Sequence, residues 1–214
     1  MSQREDAYNK IRNAITYGEL KPGDRLVEKR LCETFSVGRT PLREALSQLQ
    51  IEGYLDFSPY KGLSITRMSV QNVKEIYDTI ALMEGYATEI ATKNLNPMER
   101  KRLKLIQNNL GRAYKLKDSK KWLDENTIFH ESLVKASGNE FLYKMVSSLR
   151  NRIYRYRLIS LTISDPLEDD SRAHDEILEA ISTNDGKRAG RVMQRHVLSV
   201  ANRLIKFLEK LPGL

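Results

Sequence analysis

The chain is poor in the residues that commit a protein to an oxidising compartment, a membrane or a reaction. One cysteine, Cys32, occurs in 214 residues, so no disulfide can form within the chain and a reducing compartment is expected. Placed between Leu31 and Phe35, Cys32 reads as a small buried packing residue. No apolar run reaches the ~18 residues that span a bilayer, and MSQREDAYNK, charged from its fourth residue, carries no leader signature. A soluble, cytoplasmic protein is expected. Internal repeats and low-complexity tracts are absent. So are an HExxH pairing, a Ser/His/Asp order and a Gly-rich phosphate loop, and no general base stands out; no catalytic residue is nominated.

Positive charge, by contrast, is in surplus. The 36 Lys and Arg outnumber the 28 Asp and Glu, a formal net charge of +8 that favours a polyanionic partner such as nucleic acid. The surplus is unevenly placed. Residues 1–70 hold eleven bases and nine acids, whereas residues 100–121 alone hold nine bases and one acid, Asp118. That basic run reads either as a solvated helix face or as a second polyanion-contacting surface.

With 40 % apolar residues the chain can bury one sizeable core or two small ones. Its pattern divides it in two. A short helix from Asp6 to Thr16 presents Ala7, Ile11, Ala14 and Ile15, and Gly18 with Lys21-Pro22-Gly23 ends it in a turn. A second runs from Val27 to Phe35. A third, residues 40–52, buries Leu42, Ala45, Leu46 and Leu49 at one-face spacing, with Thr40 or Gly38 as its cap. YLDF and LSIT, joined by a turn with Pro59 and Gly62, predict a small hairpin. After Thr66 no strand signal remains. Six amphipathic helices follow, over residues 69–93, 97–117, 119–136, 140–163, 167–183 and 186–211, enough for an all-α bundle. The expected fold is mainly α, with an N-terminal winged helix-turn-helix domain over residues 1–68 and a C-terminal six-helix all-α bundle over residues 69–214.

Helix, helix, short turn, helix and hairpin is the order of a winged helix-turn-helix. The buried stripe of the third helix leaves Arg39, Thr40, Arg43, Ser47 and Gln50 on its outer face, where a recognition helix reads the major groove. The successive stretches GELKPGDRL, VGRTPLREAL and L-x-x-EGYL, ending in a Lys61-Gly62 wing, resemble the DNA-binding signature of the GntR family of bacterial transcription regulators. The resemblance implies operator contacts from Arg39, Thr40 and Arg43, with Lys29 and Gly62 assisting at the backbone or minor groove. Gly38 departs from the family pattern, which has Ser or Thr there; it can cap a helix but offers no hydroxyl to a phosphate.

The chain has three histidines, and each lies on an apolar stripe of a predicted helix: His130, His174 and His196. Asn126 and His130, four residues apart, share one helical face. Three imidazoles with an oxygen suit Zn, Ni, Cu or Fe and leave a coordination position open, although a core histidine with satisfied hydrogen bonds is the commoner case for any one of them. The segments NTIFHESLVKASGN, AHDEILEAI and MQRHV are similar to the three signatures of the FCD ligand-sensing domain in the FadR branch of GntR regulators, and the helix count is that of its VanR-like subgroup. That resemblance implies a divalent metal, Zn first and Ni or another transition metal next, held by Asn126, His130, His174 and His196. It also implies a small organic acid as effector. Asn126 stands where the family has an acid, and Ile80 where it often has an Arg, so a carboxylate would need another cation: Arg150, Arg152, Arg155 and Arg157 are the nominees.

The expectation is a homodimeric, ligand-responsive regulator, a repressor before an activator, that reads a palindromic operator and whose metal and effector change the spacing of paired reader domains. Two alternatives stay open: a constitutive DNA-binding regulator whose metal is purely structural, and a metal-dependent hydrolase.

Overall fold

A computed structural model describes residues 2–60, 62–163 and 167–210. The chain forms two compact units, one ending at Ser69 and the other starting at Val70.

The first unit holds α1 (Gln3–Tyr17), α2 (Glu28–Phe35), α3 (Arg39–Ile51), β1 (Leu55–Ser58) and β2 (Gly62–Ile65). Ser2 and Glu5 form a reciprocal capping box at the start of α1, and Gly18 ends it in a left-handed conformation. Leu42, Ala45, Leu46 and Leu49 are all buried on α3. The three leucines pack on Ile11, Ile15, Leu31, Leu55 and Ile65 in a core in which every element shares. β1 and β2 pair antiparallel, from Leu55 opposite Ile65 to Ser58 opposite Gly62. Gly38 is the cap of α3 and makes no side-chain bond, so Thr40 lies inside the first turn rather than at the cap. Cys32 is a correction: it is half-buried at the edge of this core, because the helix turns it away from Leu31.

The second unit holds α4 (Val70–Asn94), α5 (Pro97–Lys115), α6 (Ser119–Ala136), α7 (Glu140–Ile163), α8 (Leu167–Ser182) and α9 (Gly186–Glu209). The Asn96/Glu99 capping box with Pro97 opens α5 as the sequence signalled, and Asp118 and Asp185 cap α6 and α9. The predicted Asp165-Pro166 break lies outside the described residues, as does Lys61. α4 and α9 pack most extensively, and small residues permit it. A methyl group added to Gly190 would lie 2.7 Å from the Gly85 carbonyl oxygen, so the two backbones touch with no side chain between them. Arg100 ties the α4–α5 turn to α8 by donating to the carbonyls of Thr92 (2.7 Å), Leu95 (3.1 Å) and Ile181. Trp122, Phe129 and Leu133 on α6 are fully buried and fix the register of the helix that carries Asn126 and His130. No helix among the described residues is long and apolar enough to cross a membrane.

Candidate metal centre and DNA-reading face

Three helices bring the histidines together: His130 from α6, His174 from α8 and His196 from α9. One ring nitrogen of each can be chosen so that all lie within 4.8 Å of one another, and the three side chains are buried. The rings pack closely, with centroids 5.3 Å apart for His130 and His174, 5.4 Å for His130 and His196 and 4.8 Å for His174 and His196. Phe129 stacks on His174 at 4.3 Å and closes that side with carbon.

Outer partners of His130 and His174 fix which of their nitrogens faces inward. His130 Nδ1 lies 2.8 Å from Glu84 Oε2, and as the carboxylate can only accept, Nδ1 carries the proton and Nε2 the lone pair. Gln107 Nε2 donates to Asp175 Oδ1 (2.9 Å) and to the Ser171 carbonyl (3.1 Å). Its Oε1 is thereby left to accept from His174 Nδ1 at 3.2 Å. His196 Nδ1 lies 3.9 Å from Asp170 Oδ1, close enough for charge to matter but too long for a hydrogen bond. Both carboxylates are themselves held. Arg150 grips Glu84 with two nitrogens, Nη2 at 2.7 Å, while Arg157 (3.2 Å) and Arg203 grip Asp170.

The electrostatics follow from burial and these pairs. Burial, followed by the Arg150 charge, pushes His130 down to about 4, and burial pushes His196 down to about 3 and His174 well below the ordinary imidazole range. Burial would raise Glu84 and Asp170, but Arg150 with His130, and Arg157 with His196 and Arg203, outweigh it and hold both carboxyls below their usual range. The site therefore presents three neutral imidazoles, the form a metal takes up, inside a ring of ionised outer groups.

Among the described residues His174 Nε2 and Asn126 Oδ1, two buried atoms with lone pairs to offer, lack a hydrogen-bond partner, as do Arg157 Nη1 and Arg203 Nε on the donor side. Each orphan costs about 1–3 kcal/mol. A divalent ion taking the His174 Nε2 lone pair would remove that penalty, and three imidazoles with an amide oxygen at hand are a donor set that fits one. A cavity of about 20 Å³ touches Asn126, His130, His196, Arg150, Arg157 and Tyr77, room for an ion or a single water. Of the four nominated arginines, Arg150 and Arg157 line it and Arg152 and Arg155 do not. Arg157 Nη1 is buried and has no hydrogen-bond partner among the described residues.

Sequence reasoning missed Glu84, Gln107, Asp170 and Arg203 as supporting groups. Asp170 had a signal, since it stands four residues before His174 on one helical face. Glu84 and Gln107 come from other helices, and nothing local marks them.

On the first unit, Lys29 of α2 and Arg39, Thr40, Arg43, Ser47 and Gln50 of α3 are exposed, and Gly62 adopts a left-handed φ of 73° at the start of β2. With no side-chain cap at Gly38, the first N–H groups of α3 stay open for a phosphate oxygen. Arg43 is not idle. Its Nε donates to Glu28 Oε2 (2.8 Å) and Oε1 (3.0 Å), a pair that sequence reasoning did not anticipate.

Comparison with known proteins agrees with both halves. Residues 3–65 match the family described as bacterial regulatory proteins, gntR family, and residues 75–199 match the FCD domain. The transcriptional repressor GlaR of Escherichia coli K12 is 29 % identical over 202 residues, covering 91 % of this chain and 92 % of GlaR. The repressor RspR of the same organism is 26 % identical over 202 residues, 92 % and 86 % of the two chains. Among solved structures, Escherichia coli McbR/YncC superposes with a TM-score of 0.80 at 22 % identity over 98 % of both chains, a likeness of fold. The chain belongs to the GntR family of bacterial transcription regulators, with an FCD ligand-binding domain behind its winged helix-turn-helix; it is a regulator and not an enzyme.

Proposed function

We propose that the protein is a homodimeric repressor that reads a palindromic operator and holds a divalent metal, Zn or else Ni, at which a small organic acid is sensed. Residues 1–68 act as the reader and 69–214 as the sensor, in the bacterial cytoplasm where the operator lies. The observation that carries the reading is the convergence of three neutral imidazoles on one point, beside the partnerless His174 Nε2 and Asn126 Oδ1.

Each residue has a part. His130, His174, His196 and Asn126 would hold the ion, and Glu84 and Gln107 fix the ring orientation of the first two. A bound divalent ion supplies Lewis acidity and an open position for a carboxylate oxygen. Arg157 is the cation for the effector's carboxylate: its Nη2 is on Asp170, but its buried Nη1 meets no acceptor among the described residues, whereas Arg150 puts Nε and Nη2 on Glu84. In the reader, Arg39, Thr40 and Arg43 meet base edges and phosphates, and Lys29, Gly38 and Gly62 meet the backbone. Two relatives named as repressors support that sign of regulation. A two-fold pairing is supported by exposed apolar side chains one turn apart, Leu82 with Tyr86 on α4 and Phe141 with Met145 on α7. An effector that prefers one arrangement of the paired readers shifts the population toward it by no more than its differential affinity.

A second reading has one observation in its favour. The cavity of about 20 Å³ admits an ion and no multi-carbon acid without rearrangement, as a purely structural metal would require. Metal analysis of the purified chain, then melting and operator affinity with a panel of hydroxy- and dicarboxylic acids with and without chelator, separates the two. Acid-dependent operator release that disappears with chelator supports the sensor. Loss of melting temperature on chelation, with operator affinity indifferent to every acid, supports the structural role.

A further inference from the structure

The regulatory reading leaves the basic run of residues 100–121 unused, and the structure resolves how it is arranged. Arg100 is spent on backbone carbonyls, and Lys120 lies 3.7 Å from Asp124. Lys101, Arg102, Lys104, Arg112, Lys115, Lys117 and Lys121 are exposed, and none of them is in an ion pair among the described residues. At the helical period Lys101, Lys104, Leu105, Asn108, Arg112 and Lys115 share one face of α5, and no α5 residue on it is acidic; Asp175 and Glu179 of α8 border it across a groove beside Lys104 and Asn108, while Arg112 and Lys115 lie beyond that groove. Like charges at one-turn spacing repel one another by a few tenths of a kcal/mol per pair, and a polyanion laid on this face would relieve that repulsion.

We infer that the exposed basic face of α5 is a second contact for the phosphate backbone of duplex DNA, outside the winged helix-turn-helix. The charge balance favours it. The eleven bases of residues 1–70 are interleaved with nine acids, Arg43 being paired with Glu28, whereas α5 concentrates unpaired bases on one side. From Lys101 to Lys115 the helix runs about 21 Å, over which one DNA strand presents about six phosphates. Asn108 adds an amide donor between the charges. Because the same chain carries a DNA reader, a bound duplex and α5 are tethered to one another, which raises the effective concentration of contacts too weak to bind alone. A lipid surface fits less well. The exposed apolar residues of this region are Met98, Leu105, Tyr114 and Leu116, and the stripe that Met98, Leu105 and Leu116 share is interrupted by Lys101, Asn108 and Arg112, so no continuous apolar face forms.

The test uses the full chain and two duplexes: a 40-bp fragment selected by the protein from a random library, and the same fragment trimmed to the reader's footprint. Wild type is compared with the surface variant K101Q/K104Q/R112Q/K115Q, whose melting temperature should match, and with R43A. On the long duplex, the variant should bind at least about 10-fold more weakly at 0.1 M salt. Its slope of log K against log salt should be shallower by about 0.9 for each phosphate that α5 no longer neutralises, about two to four in all. On the trimmed duplex the two proteins should agree. R43A should lose preference for the selected sequence yet keep the length-dependent slope, so a failure of the reader and a failure of this inference are told apart. Equal slopes on the long duplex overturn the inference, as does equal weakening on both lengths, which means diffuse attraction rather than contact. Loss of binding to vesicles of one-third phosphatidylserine with DNA slopes unchanged overturns it in favour of a membrane.

Discussion

Replacing Gln107 by Leu tests the centre without touching a proposed ligand. The amide holds His174 by accepting from Nδ1 at 3.2 Å while its own N–H groups are taken by Asp175 and Ser171, so it fixes both the ring plane and the tautomer. Leucine keeps much of the volume and removes the acceptor. Asp175 is exposed and regains water; His174 Nδ1 is buried and does not. The metal-free protein should therefore lose about 1–3 kcal/mol of stability, the cost of one buried donor left unpaired. Metal affinity should fall about 10–100-fold, the usual effect of removing an outer hydrogen bond to a ligating imidazole. The capacity of one ion per chain should stay. The assay is a Zn titration against a competing chromophoric chelator, beside denaturant unfolding of the metal-free protein. Unaltered affinity with lowered stability refutes the reasoning, for it would mean His174 is a core residue whose Nε2 meets no ion.

Three other outcomes follow from the same geometry. Arg43→Ala should weaken operator binding by roughly 1–3 kcal/mol with little change on random DNA, whereas Glu28→Ala frees Arg43 from an exposed pair and should tighten it by at most about 1 kcal/mol; fluorescence anisotropy reads both. Gly190→Ala sets a methyl 2.7 Å from the Gly85 carbonyl, which cannot swing aside, and should cost about 1–3 kcal/mol in thermal or denaturant unfolding. Metal-free protein should lose stability as pH falls from 7.5 to 5. Unfolded imidazoles take a proton near 6.5 while folded His130 and His196 stay neutral to about 4 and about 3, so the unfolded state binds more protons throughout that window. His130 alone contributes roughly 3 kcal/mol once pH reaches its folded value. Glu84 and Asp170, held low in the fold, add to the loss below about pH 4.5. Denaturation midpoints constant from pH 7.5 to 5 would contradict the assignment of neutral buried histidines.

Local patterns explain what could be read in advance. The α3 stripe, the Asn96/Glu99 box and the inward aspect of each histidine depend on residues a few positions apart, and all appear as read. The arginines of α7 were half legible: Arg150 and Arg157, seven residues apart, share a face and line the cavity, while Arg152 and Arg155 point elsewhere. That Arg150 is consumed by Glu84, 66 positions away, needs the α4–α7 packing and has no local signal. The same holds for Gln107 on His174 and for Glu28 on Arg43, pairs set by how helices meet. Asp170 lies between these cases, its spacing to His174 visible and its two arginine partners not.

X-ray absorption on protein purified without chelator tests the central claim most directly. The account predicts one divalent ion per chain with three imidazole nitrogens at about 2.0–2.1 Å, and loss of that ion in His174→Ala with operator binding by the reader retained. Purified protein holding no stoichiometric metal and taking up none on Zn titration, or an ion whose spectrum lacks imidazole and survives His174→Ala, would contradict it.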